Sequence, residues 1–192
     1  MTVIARNRGR RAFRTMLALG TVSLGVLVLS GCEKPSPNAH FTLNSSSKTR
    51  ETASDCHGHG DALGVSRVLE CLGGDEEAVS FSTSPGDTFR IGVDPSVAET
   101  GWVVLVNEQL YRIEPYTTTY QTFPSADLYR MVRGEPQPGQ PPVDTELRVS
   151  VAQVREEYDV DAVWDSRSAE EYQENLLSQV EGVWNATLRP GD

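Results

Sequence analysis

Cys56-His57-Gly58-His59-Gly60-Asp61 is the stretch of this 192-residue chain whose residue types and spacing come closest to doing chemistry. Two imidazoles and a carboxylate on a glycine-rich loop are donors of the kind that zinc and copper accept. The plainer reading of the same six residues is one half of a disulfide with two histidines at the surface. If Cys56 is oxidised it cannot be a ligand, and His40 is then the one other imidazole in the chain. No third imidazole stands close in sequence. We therefore expect no cofactor and no tight transition-metal site, with His57 and His59 as the ligands of the alternative reading.

Other reactive patterns are weaker. A copper centre of the cupredoxin kind takes a cysteine and a histidine late in the chain, and neither occurs after Cys71. Ser45-Ser46-Ser47-Lys48 fits S-x-x-K, but two fixed positions without a G-x-S-x-G elbow read more simply as a polar loop. Carboxylates crowd Asp75 to Glu77, Glu156 to Asp165 and Glu170 to Glu174. A glycosidase needs two of them facing one bond, which abundance alone does not supply. Asp159-Val160-Asp161 lacks the glycine and distal glutamate of a calcium loop and reads as a solvated acidic face. Trp102 and Trp184 sit in apolar runs and are expected in the core, whereas Trp164 stands among acids and is the candidate exposed aromatic.

The first 31 residues separate from the rest by composition. Arg6, Arg8, Arg10, Arg11 and Arg14 precede the 14-residue uncharged run Met16 to Leu29. That pattern is an export signal, and the run is short of the roughly 20 residues a helix needs to cross a bilayer. Leu29-Ser30-Gly31-Cys32 then resembles the bacterial lipobox. The resemblance implies cleavage between Gly31 and Cys32, a diacylglyceryl group on the Cys32 thiol, and stable anchoring by its acyl chains. The expected place of the protein is the extracytoplasmic face of the cell membrane, with the membrane as its partner through lipid on Cys32. Arg10-Arg11-Ala12-Phe13 also looks like part of a twin-arginine signal, but Arg14 departs from that pattern and ordinary Sec export is expected.

The signal holds five of the 17 basic residues and none of the 27 acids, so the 161 residues after it carry 12 against 27, a formal charge of −15. Nucleic-acid binding requires clustered Lys and Arg, and the remaining basic residues are scattered, so nucleic acid is excluded as a partner. With Cys32 given to lipid, Cys56 and Cys71 remain as one pair in an oxidising compartment and should be bonded. Closing a loop of about 15 residues stabilises by roughly 3 kcal/mol on the chain-entropy model.

These residues need elements to position them. Glu33 to Ala39 reads as a tether, and the folded part is expected from His40. Asp61 could cap a short helix carrying Val65, Val68, Leu69 and Leu72, which Cys71 would staple to the loop of Cys56. Strands are expected at Phe41 to Leu43, Val79 to Ser82, Phe89 to Val93, Trp102 to Val106, Leu110 to Ile113, Thr117 to Phe123, Leu128 to Val132, Leu147 to Val154 and Val183 to Leu188. Glu135 to Pro142 holds four prolines and reads as a loop between sheets. Ser168-Ala169-Glu170-Glu171 is a capping box that leads into a helix within the acidic stretch Arg155 to Glu181. Short strands separated by turns suggest an antiparallel sandwich.

Cys32-Glu33-Lys34-Pro35, Pro85-Gly86-Asp87-Thr88-Phe89-Arg90-Ile91-Gly92-Val93-Asp94-Pro95, Thr100-Gly101-Trp102 and Glu114-Pro115-Tyr116 together resemble an uncharacterised lipoprotein family of actinobacteria. The likeness runs from the lipobox to Thr122 and resumes at Gly182-Val183-Trp184-Asn185, while Arg155 to Glu181 departs from it. It implies an immunoglobulin-like sandwich and brings no assigned chemistry. The expected organisation is thus a signal peptide over residues 1–31 and a lipid-anchored tether over 32–39. A single mainly β domain follows over 40–192, an immunoglobulin-like antiparallel β-sandwich with one or two short helices and an acidic helical insertion at about 155–181. The leading expectation for function is a non-enzymatic interaction or structural module, without catalytic residues, facing an unknown cell-envelope protein partner. The alternatives are a metal-binding or carrier protein using His57 and His59, a cell-envelope hydrolase, or a chagasin-like protease inhibitor. The last rests on Gly86-Asp87-Thr88 and Glu99-Thr100-Gly101-Trp102, which resemble that family's loops.

Overall fold

Alternation of apolar and polar residues builds the first strands. In β1 (Asn38–Leu43) Ala39, Phe41 and Leu43 point inward and are buried, while Asn38, His40 and Thr42 face outward. β2 (Ser46–Glu51) returns from it through a two-residue turn at Asn44, which takes the left-handed backbone that asparagine tolerates. A computed structural model describes residues 36–74, 78–84, 86–133 and 145–191. The signal segment, the lipobox, Cys32 and the proline-rich stretch Glu135 to Pro142 lie outside them. The described fold starts two residues before the expected His40, because Ala39 pairs with Val93 and is fully buried.

After β2 come α1 (Val65–Gly73), β3 (Val79–Thr83), β4 (Thr88–Val93), α2 (Pro95–Thr100), β5 (Trp102–Val106) and β6 (Gln109–Leu110). β7 (Tyr120–Pro124), α3 (Ser125–Arg133), β8 (Leu147–Val154), α4 (Val160–Trp164), α5 (Ala169–Leu177) and β9 (Val180–Pro190) complete the described chain. The strands form two packed sheets, ordered β2-β1-β4-β7 and β3-β9-β8-β5-β6. The protein is therefore a mainly β sandwich with short helices. All pairings are antiparallel except one, since β3 runs parallel to β9 with Val79 opposite Ala186.

Two apolar layers hold the structure. Between the sheets lie Phe41, Phe89, Ile91, Trp102, Val104, Val151, Trp184 and Leu188. The far side of the five-stranded sheet buries Val103, Leu105, Ala152, Val154 and Val183 beneath Val68 and Leu72 of α1, Val163 of α4, and Leu176 and Leu177 of α5. A strand covered on both faces reads as a continuous apolar run, which is why Trp102 to Val106 carries no polar residue. Each Val or Leu buried by the helices contributes about 1.5–3 kcal/mol relative to exposure. The acidic stretch thus puts Val163, Leu176 and Leu177 on the sheet, while Trp164 and the carboxylates that precede Glu181 face water.

Several expectations are corrected. Leu128 to Val132 is not a strand but part of α3, where Leu128 is fully buried and Tyr129 and Val132 pack beside it. A short apolar run satisfies either period, and the Asp127 and Arg130 pair one turn apart supports the helix. Ser45 to Lys48 is not a loop, since Ser46 opens the edge strand β2; there the Lys48 amine lies 2.6 Å from the Ser80 carbonyl and 5.0 Å from the centre of the Phe81 ring. Of Leu110 to Ile113 only Leu110 is strand, the end of a two-residue β6 that follows a tight turn in which Asn107 and Glu108 both have positive φ, and Tyr111 N–H adds one bond to the Val104 carbonyl. Thr117 to Phe123 becomes strand only from Tyr120. Asp61 does not cap α1, whose N-cap is Gly64 without a side-chain bond. Helix α2 was not anticipated, although Asp94-Pro95 is a helix start with proline at its first position. Among the described residues there are five helices where one or two were expected, two of them in the acidic stretch.

Candidate functional site at the disulfide loop

Cys56 and Cys71 are bonded across 15 residues, with their Cα atoms 5.8 Å apart. The bond ties α1 to the loop that follows β2, as the spacing suggested. Backbone bonds hold the same loop to β9. Gly58 N–H donates to the Glu181 carbonyl at 2.7 Å, Leu63 N–H to Val180 at 2.9 Å, and Val183 N–H to the Cys56 carbonyl at 3.0 Å. Thr52 adds a buried hydroxyl bond to the Val183 carbonyl at 3.1 Å. Only glycine fits at position 58, because a Cβ there would stand 1.9 Å from the Asp61 carbonyl oxygen.

This anchoring brings His57 and His59 together. Their Nδ1 atoms are 3.4 Å apart and their rings meet edge to face with centroids 4.7 Å apart. His57 lies over Gly182, where a Cβ would approach its Cδ2 to 2.9 Å, and its ring centre is 6.2 Å from that of Trp184. His59 is exposed, in the left-handed region at φ 54°. The third imidazole is engaged elsewhere, since His40 on β1 binds the Thr49 hydroxyl at 2.9 Å and the Asp94 carboxylate at 3.4 Å. Among the described residues no group of three or more His, Cys, Asp or Glu side chains is arranged to hold a metal ion.

Beside the disulfide a shallow cleft of about 320 Å³ is lined by Arg50, Asp55, Arg67, Glu70, Trp184 and Asn185 among others. Arg67 is neutralised within it, 3.2 Å from Asp55 and 2.6 Å from Glu70. Past the histidines, the end of the sheet holds a polar pair that the strand patterns conceal. Glu181 is 6% exposed, and Gln153 donates from Nε2 to its carboxylate at 3.3 Å and to the Thr100 hydroxyl at 3.0 Å. Gln153 Oε1 is buried without a hydrogen-bond partner among the described residues. The available signal was a polar residue standing at a buried position within Val-Ala-Gln-Val and Val-Glu-Gly-Val.

Burial pushes the Glu181 carboxyl above its ordinary value of 4.5; Arg155 opposes the shift, and the Asp61 and Glu157 carboxylates add to it. A group whose folded pKa exceeds its unfolded pKa contributes stability that is present below the unfolded value and is lost as pH rises through the folded one. Glu181→Gln keeps the shape but cannot ionise. The variant should therefore gain stability over the parent as pH rises from below 4.5 to neutral. Urea midpoints at both ends of that window check this, and a pH-independent difference would contradict it.

The remaining candidates are dispersed. Trp102 and Trp184 are core residues and Trp164 is 74% exposed, as expected. Gly86-Asp87-Thr88 leads into β4, whereas Glu99 and Thr100 end α2, Gly101 caps it and Trp102 opens β5, so the two segments that resemble inhibitor loops sit on different elements. Asp87 is instead tied into its own turn, accepting from Asn44 at 2.8 Å and from Ser84 N–H at 2.7 Å. No protein-family model matches the chain, and neither a curated protein nor a solved structure shows significant similarity to it. Among the described residues no helix is long and apolar enough to cross a membrane.

Proposed function

We propose that the chain is an exported lipoprotein, held at the extracytoplasmic face of the cell membrane by lipid on Cys32, whose stapled sandwich works by contact with a cell-envelope partner rather than by turnover. The observation that carries this reading is the cysteine assignment. Of three cysteines, Cys56 and Cys71 are paired with each other, which leaves Cys32, directly after Leu29-Ser30-Gly31, as the thiol available for acylation. A structural disulfide also suits an oxidising compartment. For contact, the surface offers Trp164, together with Tyr120 at 60% exposure beneath the Arg90 guanidinium, 5.7 Å from its ring centre. Tryptophan, tyrosine and arginine are the side chains on which protein interfaces concentrate their binding energy. The likeness to uncharacterised actinobacterial lipoproteins, and an immunoglobulin-like grouping of the strands, belong to the same proposal.

The test is metabolic labelling with a fatty-acid analogue in a bacterial host. Cys32→Ala should lose the label and accumulate as uncleaved precursor, while Cys56→Ala keeps it. Undiminished label on the Cys32 variant would end the lipoprotein reading. Trp164→Ala should then weaken any crosslinked complex formed at the cell surface by the wild type.

A further inference from the structure

The histidine pair at the tip of the stapled loop is left unused by a contact function. We propose that His57 and His59 form an open, two-imidazole site for a borderline divalent transition metal of the zinc or copper(II) type. Two nitrogens bound tetrahedrally at about 2.0–2.1 Å from one ion stand roughly 3.3 Å from each other. The two Nδ1 atoms here are 3.4 Å apart, so their separation already matches that of two ligands on one ion. The rings lie at 88° to each other, which lets two nitrogens converge while the ring carbons stay apart.

The pair is also fixed in advance. Cys56 is bonded to Cys71, Gly58 is tied to Glu181, and Asp61 N–H closes the turn onto the Gly58 carbonyl at 3.0 Å. His59 keeps its left-handed backbone between two glycines. A rigid loop has little conformational freedom left to lose on binding. Asp61, two residues from His59, adds a carboxylate to the same loop, and the loop is bonded to the main chain of Glu181.

In the apo protein one Nδ1 must carry a proton to bond the other. Metal binding replaces that contact with two coordinate bonds, and the ring that held the shared proton on Nδ1 tautomerises, carrying its one proton on Nε2 so that both imidazoles stay neutral. Two protein ligands leave the other positions to water, so the site is reversible and accessible, unlike a closed structural zinc centre.

Titration of zinc chloride and copper(II) chloride into the full chain in detergent, under non-reducing conditions, tests this calorimetrically. Copper electron paramagnetic resonance then counts the nitrogen donors. One saturable site with two nitrogen donors is expected. His59→Ala should weaken it by at least about tenfold, since loss of a ligand's outer partner alone costs about 10–100-fold. His40→Ala should leave it unchanged. His57→Ala should also weaken it, but that ring packs near Trp184, so the exposed His59 gives the deciding variant. No saturation below millimolar metal, or equal binding by His59→Ala, would overturn the proposal. Lipid labelling on Cys32 is unaffected by either result, so this site and the anchoring reading stand or fall separately.

Discussion

Replacing Trp102 with alanine should lower the unfolding free energy by about 3–5 kcal/mol, the cost of truncating a large aromatic in a packed core. The side chain is fully buried between the sheets, and its ring centre is 4.9 Å from that of Tyr116. Its indole N–H donates to the Thr118 carbonyl at 2.8 Å, and its backbone exchanges two bonds with Tyr116 at 3.0 and 2.8 Å. Truncation therefore opens a cavity and leaves a carbonyl without its donor. Trp102→Phe restores most of the volume but not the indole bond, and should cost less. Urea unfolding of the three proteins checks the order. A loss below about 1 kcal/mol for the alanine variant would mean that the sheets close over the gap more readily than their packing implies.

Removing the Cys56 and Cys71 bond should cost roughly 3 kcal/mol, the chain-entropy value for a loop of its 15-residue span. Cys56→Ala with Cys71→Ala is the cleaner variant, because serine would place a hydroxyl at the buried position of Cys71. The loss should not be evenly spread. Residues from Ala53 to Leu63 are held to β9 by a few backbone bonds and have little apolar burial of their own, so their amides should exchange with solvent first. Helix α1 should follow, although Val68 and Leu72 still bind it to the sheet. Equal stability of the oxidised wild type and the double variant, by urea midpoint, would refute a stapling role for the bond.

The Glu181 and Gln153 pair lies next to that loop but belongs to the sheet itself. Its pH response and the disulfide's contribution therefore report on the same end of the molecule by different means. The loop that carries the His57 and His59 contact is held by the main-chain carbonyl of Glu181, which binds Gly58 N–H, and by the Cys56 bond.

Much of the fold was legible from local patterns. Phe89, Ile91 and Val93 alternate with outward residues and form β4, and the unbroken Trp102 to Val106 run forms a strand buried on both faces. Leu147 to Val154 is the observed β8 to the residue. Ser168 does cap α5, accepting from the Glu171 N–H at 3.1 Å, although the Glu171 carboxylate reaches the Arg167 N–H at 2.8 Å instead of completing the box on Ser168. These features depend on neighbours within one turn or one strand, so the chain itself carries the information. The disulfide was legible by counting once Cys32 was set aside for the expected lipid, because the two thiols that remain admit a single pairing.

Tertiary contacts decided the rest. Ser125 to Arg133 is helical because Leu128 reaches the core on that geometry, a fact about residues far away in sequence. Polar β2 becomes a strand because β1 offers it an edge to pair with, and β3 runs parallel to β9 because the intervening chain returns over more than 90 residues. The candidate site belongs to this second group. Glycine spacing showed that residues 56 to 61 form a loop, but neither the burial of Glu181 nor the 3.4 Å approach of two imidazoles exists until β9 lies beneath it. Periodicity reports which face a residue takes, whereas a site requires closeness in space, and only the packed sheets bring those side chains together.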